Sequence, residues 1–361
     1  MNKNYYAIIM AGGIGSRFWP ISRTSHPKQF IDILGTGKTL IQNTYERFLK
    51  VCPQENIYIV TNEIYTDIIK KQLPGITEDQ ILTEPVMRNT APCVAYGCFK
   101  IQSINPDAAI VVAPSDHLIL DEAAFINTIE KSLVTASEND CLITLGIKPS
   151  RPDTGYGYIQ YTEQSLDNDF FKVKTFTEKP SVEIAKTFIQ SGDFLWNAGI
   201  FVWAAKTIVN AFNAHLPEMY DIFNEARPFY NTPGEKSYIH NSYLQCANIS
   251  IDYGIMEKSD NVYVLPSEFG WSDLGTWASI YELAEKDDSG NALIPPDKVV
   301  VYNSSNCIVN VPEGKLVILK GLNDFIVVEA NNTLLICPRE DEQNVKKVVA
   351  DVKQQFGVKY I

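Results

Sequence analysis

The sequence predicts an α/β fold followed by a small β-rich module, and three observations predict it. Short apolar runs alternate with stretches of helical periodicity up to about residue 290. Beyond that point short β-rich runs are separated by turn-forming sequences such as NSSN, PEG and GLND. The chain has 361 residues, more than one core ordinarily serves, which favours a large domain over residues 1–288 and an appendage over 289–361.

The strands of the larger part are predicted at 5–10, 57–61, 109–113, 142–147, 157–161, 172–177 and 199–203. The helices between them fall at 39–51, 63–72, 90–103, 122–138, 181–191, 206–213 and 274–285, several behind a Ser, Thr or Asn where a cap is expected. In the appendage the β runs are 299–302, 307–311, 316–319, 325–329 and 334–337. The chain then closes on 341–356, where Val345, Val348, Val349 and Val352 recur at helical spacing. That apolar face docks either on the protein's own second domain or on a second copy, making a homodimer.

Composition narrows the function classes. With 45% hydrophobic and 20% charged residues the chain is not disordered, and no apolar run approaches the ~20 residues that span a bilayer. A net charge of -12 argues against nucleic acid and anionic membranes as partners, so a polyphosphate ligand needs a local cationic pocket and a metal ion. Seven cysteines without a CxxC pair, and an N-terminus too short in apolar residues for a signal sequence, lead us to expect a cytoplasmic protein with free thiols and no zinc site.

Residues 11–30, AGGIGSRFWPISRTSHPKQF, have the layout of a phosphate site. A buried first strand runs into Ala11, and Gly12, Gly13 and Gly15 let the next turn adopt positive φ and bring backbone N–H groups to an anion. Arg17 and Lys28 add the charge. Phe18 stands where a dinucleotide fingerprint needs its third glycine, and Asp32 where a P-loop before Gly37-Lys38-Thr39 needs its first. Lys38 then reads as a surface residue before a helix starting near Thr39.

Val111 to His117 form a second constellation, a β-branched strand ending in Pro-Ser-Asp that projects the Asp116 carboxylate from the carboxyl edge of a sheet. Asp116 is a metal ligand or, in the plainer reading, a turn or helix-cap aspartate. Asp273, in FGWSDLGTW, is the second such candidate, and it can equally cap the helix that carries Trp277.

An ordered set of segments over residues 5 to 285, AGGIGSRFWP, PKQF, EPVMRNTAP, APSDH, TGYGYI, FTEKP, WNAGIF, SIDYGIMEK and GWSDLGTW, resembles the sugar-1-phosphate nucleotidyltransferases, most closely the mannose-1-phosphate guanylyltransferases. The resemblance implies a Rossmann-like mixed-sheet nucleotidyltransferase fold with a β-helix-like C-terminal module and terminal helix. The jelly-roll isomerase domain of bifunctional members has no counterpart here, so isomerase activity is not expected. The implied reaction joins GTP and α-D-mannose 1-phosphate into GDP-mannose and pyrophosphate, with Mg²⁺ or Mn²⁺ held by Asp116 and Asp273. Arg17 and Lys28 complete the catalytic set, Arg17 on the leaving pyrophosphate and Lys28 on the α-phosphoryl side. The nucleotide set adds Ala11, Gly12, Gly13, Gly15, Ser16, Glu84, Arg88, Asn89 and Ser115, and the sugar-phosphate set is Gly157, Glu178, Lys179 and Asn197.

Plainer readings stand beside several of these. Glu84 and Arg88, in the loop after Ile81-Leu82 where relatives read the base, suit guanine because a carboxylate accepts from both N1–H and N2–H₂, yet at i,i+4 they also form a helix-surface ion pair. Asn89 and Thr90 serve the ribose or cap the next helix. Glu178-Lys179 is otherwise an exposed charged turn, and Asn197 a turn asparagine. His117 touches phosphate or is structural, Cys93 and Cys98 are buried hydrophobes, Trp203 and Trp277 belong to the core, and Asp252 caps a helix. The same chemistry on another base or sugar, or an inactive nucleotide-sugar-binding regulator, remains the alternative.

Overall fold

Tyr5–Ala11, a nearly continuous apolar run, is buried along most of its length in the computed structural model, which describes residues 1–13, 15–167 and 169–361. Ile14, inside the predicted glycine turn, lies outside the described residues. That first strand, β1, has parallel neighbours on both sides, β2 (Ile57–Asn62) and β4 (Ala109–Pro114), as expected of a strand covered on both faces. A strand absent from our reading, β3 (Ile81–Glu84), pairs with β2, so Glu84 ends a strand instead of sitting in a loop. Pro85 stops the ladder there.

One compact unit comprises residues 1–12, 44–115 and 119–271. Its nine-stranded sheet continues with β5 (Leu142–Ile147), β6 (Gly157–Leu166), β7 (Phe170–Glu178), β8 (Phe194–Ala204) and β9 (Val262–Ser267). The order is β3-β2-β1-β4-β8-β5-β9-β7-β6, with β8 also paired to β6. β8 runs antiparallel to both β4 and β5, which makes the sheet mixed. Asn197, read as a turn asparagine in the plainer alternative, lies in the interior of β8, which starts five residues before the predicted strand because its aromatic first half is buried too.

The helices are α1 (Leu40–Phe48), α2 (Thr66–Gln72), α3 (Thr90–Ile104), α4 (Glu122–Glu138), α5 (Val182–Ser191), α6 (Ala205–His215), α7 (Pro217–Glu225) and α8 (Glu235–Tyr243). α3 is buried almost all round, with Cys93 and Cys98 inside it, in one core with Trp203, Phe212, Phe223 and Tyr243. α7 and α8 were not foreseen; tyrosines and asparagines blur the apolar pattern of EKSYIHNSY, and burial against α3 and β3 decides its state.

The other unit comprises residues 13–43, 116–118 and 272–361. Phe18 and Trp277 meet edge to face at 5.2 Å in a core shared with Leu274, Ile308, Ile326 and Val328. Short strands β10 (Ala292–Ile294), β12 (Ile308–Asn310) and β14 (Phe325–Ala330) stack in parallel, and β15 (Thr333–Pro338) closes antiparallel on β14. β11 (Val299–Tyr302) and β13 (Val317–Lys320) form a second parallel pair. Asn303, Asn306 and Asp324 turn the corners at positive φ, a region Asn and Asp tolerate. This coil of short parallel strands is the β-helix-like module.

Two helices complete the unit, α9 (Trp277–Leu283) and α10 (Val345–Phe356). The predicted 341–356 helix is divided, since residues 339–344 form a 3-10 turn before α10. Val345, Val349 and Val352 pack with Trp19 and Leu335, so the apolar face closes the helix's own unit. Among the described residues no helix is long and apolar enough to cross a membrane.

Candidate active site

The glycine loop is built around Lys28. Gly15 sits at φ 63°, and a Cβ there would stand 2.6 Å from the Lys28 Cβ, so the loop closes on the lysine only with glycine at this position. Lys28 itself is 4% exposed. Its ammonium lies 2.9 Å from Asp116 Oδ2 and donates to the backbone carbonyls of Asp273 and Leu274 at 2.8 and 3.0 Å. One cation thus holds the Asp116 carboxylate and the backbone of Asp273, and its three hydrogens have protein acceptors.

Neither aspartate caps a helix, although Asp116 does sit in a turn, as its plainer reading allowed. Asp116 follows β4 and pairs with Lys28. Burial works against its charge, and the Lys28 ammonium and His117 overcome that, holding the carboxyl below the ordinary carboxylate value. Asp273 Oδ1 accepts from Gly275 N at 2.9 Å, while Thr276 caps α9 through a bond from Ser279 N. The plainer reading fails because the cap position falls three residues later.

Gly15, Arg17, Lys28, Asp116, His117 and Asp273 line a cavity of about 270 Å³ within this unit. Ser16 and Gly275 join them. Arg17 Nε donates to Gln343 Oε1 at 3.0 Å, which aims the guanidinium, and Gln29 fixes the loop through Gly13 O at 2.9 Å.

In the unit of the large sheet the remaining candidates fall into two groups. Glu84, 4% exposed, accepts from the Tyr243 hydroxyl at Oε1, and its Oε2 lies beside Gly12, 3.6 Å from where a Cβ there would stand. Burial pushes the Glu84 carboxyl up to about 7, with the Tyr243 bond working the other way. The Glu84–Arg88 ion pair does not form among the described residues; Arg88 Nη2 donates to Leu244 O at 3.1 Å. Glu84 belongs to β3 and Arg88 to the turn after it, so the helical spacing that the pair needs is missing. Asn89 caps α3 by accepting from Thr90 N at 2.9 Å, and Thr90 Oγ1 accepts from Ile251 N at 2.9 Å. Ala11 ends β1, and Ser115 N bonds Met10 O at 3.0 Å.

The sheet assembles the second group through register. Gly157 faces Glu178, and Tyr158 faces Trp196, which brings Asn197 alongside. Lys179, at φ 50°, folds back so that its ammonium is 2.7 Å from Glu178 Oε2. Asn197 Oδ1 accepts from Thr144 Oγ1 at 3.1 Å and Gly199 N at 3.0 Å, and its Nδ2 donates to Asp252 Oδ1 at 2.7 Å. These bonds fix which end of the amide is the donor. Asp252 therefore does not cap a helix; it opens a π-turn, and burial together with the charge of Glu178 pushes its carboxyl up to about 6. Tyr243 and Asp252 are the members that sequence reasoning missed or misread. Asp252 lies within SIDYGIMEK, so that segment was the available signal, while Tyr243 had none.

Two acids, a buried lysine and an arginine thus meet beside a glycine loop in one charged pocket. Residues 6–290 match the Nucleotidyl transferase family, and residues 297–352 match the MannoseP isomerase/GMP-like beta-helix domain. The chain belongs to the nucleotidyl transferase family and is an enzyme of that type. Within the family it is 36% identical over 96% of its length to a mannose-1-phosphate guanylyltransferase from Salmonella montevideo, of which it spans 73%. It is 35% identical over 96% of its length to the alginate biosynthesis protein AlgA of Pseudomonas aeruginosa, spanning 72% of that protein. The crystal structure of mannose-1-phosphate geranyltransferase from Thermus thermophilus superposes with a TM-score of 0.85 at 29% identity, covering 97% of this chain and 99% of that one. The expected mixed-sheet fold with a β-helix-like module is the fold of this family.

Proposed function

We propose that the protein transfers GMP from GTP to α-D-mannose 1-phosphate, giving GDP-mannose and pyrophosphate, as its relatives' names suggest. The observation that carries the reading is the Lys28 ammonium bound at once to the Asp116 carboxylate and the Asp273 peptide in a cavity that also holds Arg17. A sugar phosphate is already an anion, so attack on the α-phosphorus needs no general base. The barrier lies in bringing two polyanions into line and receiving the charge that moves to pyrophosphate.

The chain supplies each of these. Arg17, aimed by Gln343, presents its remaining guanidinium N–H groups to the leaving phosphates. Lys28 keeps Asp116 ionised and the 273–274 turn closed, a supporting part rather than direct contact with the α-phosphoryl group. Asp116 and Asp273 offer hard carboxylate oxygens, and no group of three metal-ligating side chains occurs among the described residues. That donor set fits Mg²⁺ or Mn²⁺, which take one or two carboxylates and draw the rest from phosphates and water. When bound, the ion neutralises charge on the α-phosphoryl group and on pyrophosphate. Glu84 reads the guanine N1–H and N2–H₂, and Glu178, Lys179 and Asn197 take the sugar hydroxyls and phosphate.

The test is pyrophosphate release from four nucleoside triphosphates against mannose-, glucose- and N-acetylglucosamine-1-phosphate, with Mg²⁺ and with EDTA. Metal-dependent turnover confined to GTP with mannose 1-phosphate is expected. Another preferred pair overturns the base or sugar assignment, and no turnover from folded protein that still binds nucleotide-sugar turns the chain into a regulator.

A further inference from the structure

The 3-10 turn that leads into α10, Arg339–Asn344, is clamped at three points. Arg339 N donates to Asp324 O at 2.8 Å, its Nη1 donates to Asn306 O at 3.0 Å, and its guanidinium lies 3.7 Å from the centre of the Tyr281 ring on α9. Glu342 Oε2 accepts from Ala278 N at 2.9 Å, at the start of the same helix. Val345, 1% exposed, packs with Trp19 and Leu335.

Gln343 stands between the last two clamps, and its Oε1 accepts from Arg17 Nε at 3.0 Å. Trp19 follows Arg17 by two residues as Val345 follows Gln343, so a polar and an apolar contact join the same two segments. Only the carbonyl end of an amide accepts from a guanidinium, which fixes the orientation of Gln343. With Nε engaged, the fork left for a phosphate is the outer pair, Nη1 and Nη2. An unheld arginine orders its long side chain only when the anion arrives, and the clamped turn removes part of that entropic cost beforehand.

We propose that Gln343 is a positioning residue for the departure of pyrophosphate: through Arg17 Nε it turns the Nη1 and Nη2 edge toward the β- and γ-phosphates, which makes the C-terminal module a working part of the nucleotide site. This rests on reading the cavity that Arg17 lines as the triphosphate site. The test is calorimetric titration of the full chain with magnesium pyrophosphate, on wild type, Gln343→Met, Arg17→Ala and the double variant, with melting curves and steady-state kinetics. Methionine keeps the length of the side chain and removes the acceptor.

Affinity in Gln343→Met falls roughly threefold to tenfold, the scale of one hydrogen bond to a charged group, with melting unchanged. Turnover falls with it, while KM for mannose 1-phosphate stays the same. In the Arg17→Ala background the second substitution has no further effect, because Gln343 acts only through Arg17. Equal losses from Gln343→Met in both backgrounds overturn the proposal, since the glutamine then acts by another route. A lowered melting temperature with KM raised for both substrates makes Gln343 merely structural and overturns it as well. Wild-type affinity in Gln343→Met alongside a weakened Arg17→Ala also overturns it and leaves the reading of the cavity intact. Undiminished binding in both single variants removes that reading and the proposal with it.

Discussion

Tyr243, the last residue of α8, donates its hydroxyl to Glu84 Oε1 at the end of β3, so one oxygen of the acid is committed before any base arrives. The arrangement fixes the plane of the carboxylate and leaves Oε2 beside Gly12. The Cys93 and Cys246 thiols lie near the pair, and burial pushes both of them, and the Tyr243 phenol, upward.

Base selection then depends on pH with a definite sign. Glu84 rises from an ordinary 4.5 to about 7, so the folded state favours its protonated form, and that contribution to stability is present below 4.5 and lost as pH climbs through about 7. Guanine needs the ionised form, so KM for GTP falls between pH 6 and 8. Glu84→Gln abolishes both trends and the preference for GTP over UTP. Tyr243→Phe removes the bond that opposes burial, and it moves the KM transition to higher pH. Steady-state kinetics with both nucleotides across that range is the check; GTP-over-UTP selectivity that survives in Glu84→Gln sinks the assignment.

Lys28 and Asp116 should separate stability from turnover. Lys28→Met strands a half-buried carboxylate and two carbonyls, costing about 1–3 kcal/mol and lowering the melting temperature. Asp116→Asn keeps an acceptor for the lysine and leaves melting nearly unchanged, while turnover drops roughly 10²-fold or more. The double variant regains stability relative to Lys28→Met and stays inactive. Melting curves beside pyrophosphate release decide it, and an Asp116→Asn enzyme with normal turnover rules out its metal role.

What the sequence made legible was covalent and local. The loop holding Gly15, Arg17 and Lys28 and the strand leading to Asp116 announce themselves by residue type and spacing, and β1, β2 and β4 follow from apolar runs. Tyr243 and Asp252 come from segments whose state is decided by tertiary packing. α8 carries too many polar residues to show a clear stripe, and Asp252 opens a π-turn with no propensity signal. The i,i+4 spacing of Glu84 and Arg88 misled because β3 ends between them.

Gly157 provides a test of the sugar group that leaves the fold alone. A Cβ there would stand 2.2 Å from Glu178 Oε1 and 3.5 Å from the Asn197 Cβ. Gly157→Ala therefore pushes the Glu178 carboxylate aside, and that flexible tip yields at little cost to stability. KM for the sugar phosphate rises roughly tenfold, the scale of one charge-assisted hydrogen bond, with KM for GTP unchanged. A rise in both constants together contradicts the assignment of Glu178 to the sugar.

Lys100 and Glu235 form a buried ion pair that holds α8 to α3, with side chains 3% and 8% exposed and 2.6 Å between Nζ and Oε2. Tyr96 and the Asn231 amide satisfy the same carboxylate at 2.8 and 2.7 Å. Such a pair contributes little net stability against an apolar replacement, but removing one partner leaves a buried charge, costing about 3–5 kcal/mol. Lys100→Met should therefore destabilise strongly, and Lys100→Met/Glu235→Gln should recover much of the loss, because the glutamine still accepts from Tyr96 without a charge. Since α8 carries Tyr243, the single variant also raises KM for GTP, and the double variant brings it back toward wild type. Urea titrations and GTP kinetics on wild type, Lys100→Met, Glu235→Gln and the double variant test both parts. Additive losses in the double variant mean the pair is not coupled, and an unchanged KM in Lys100→Met means that α8 does not set the position of Tyr243.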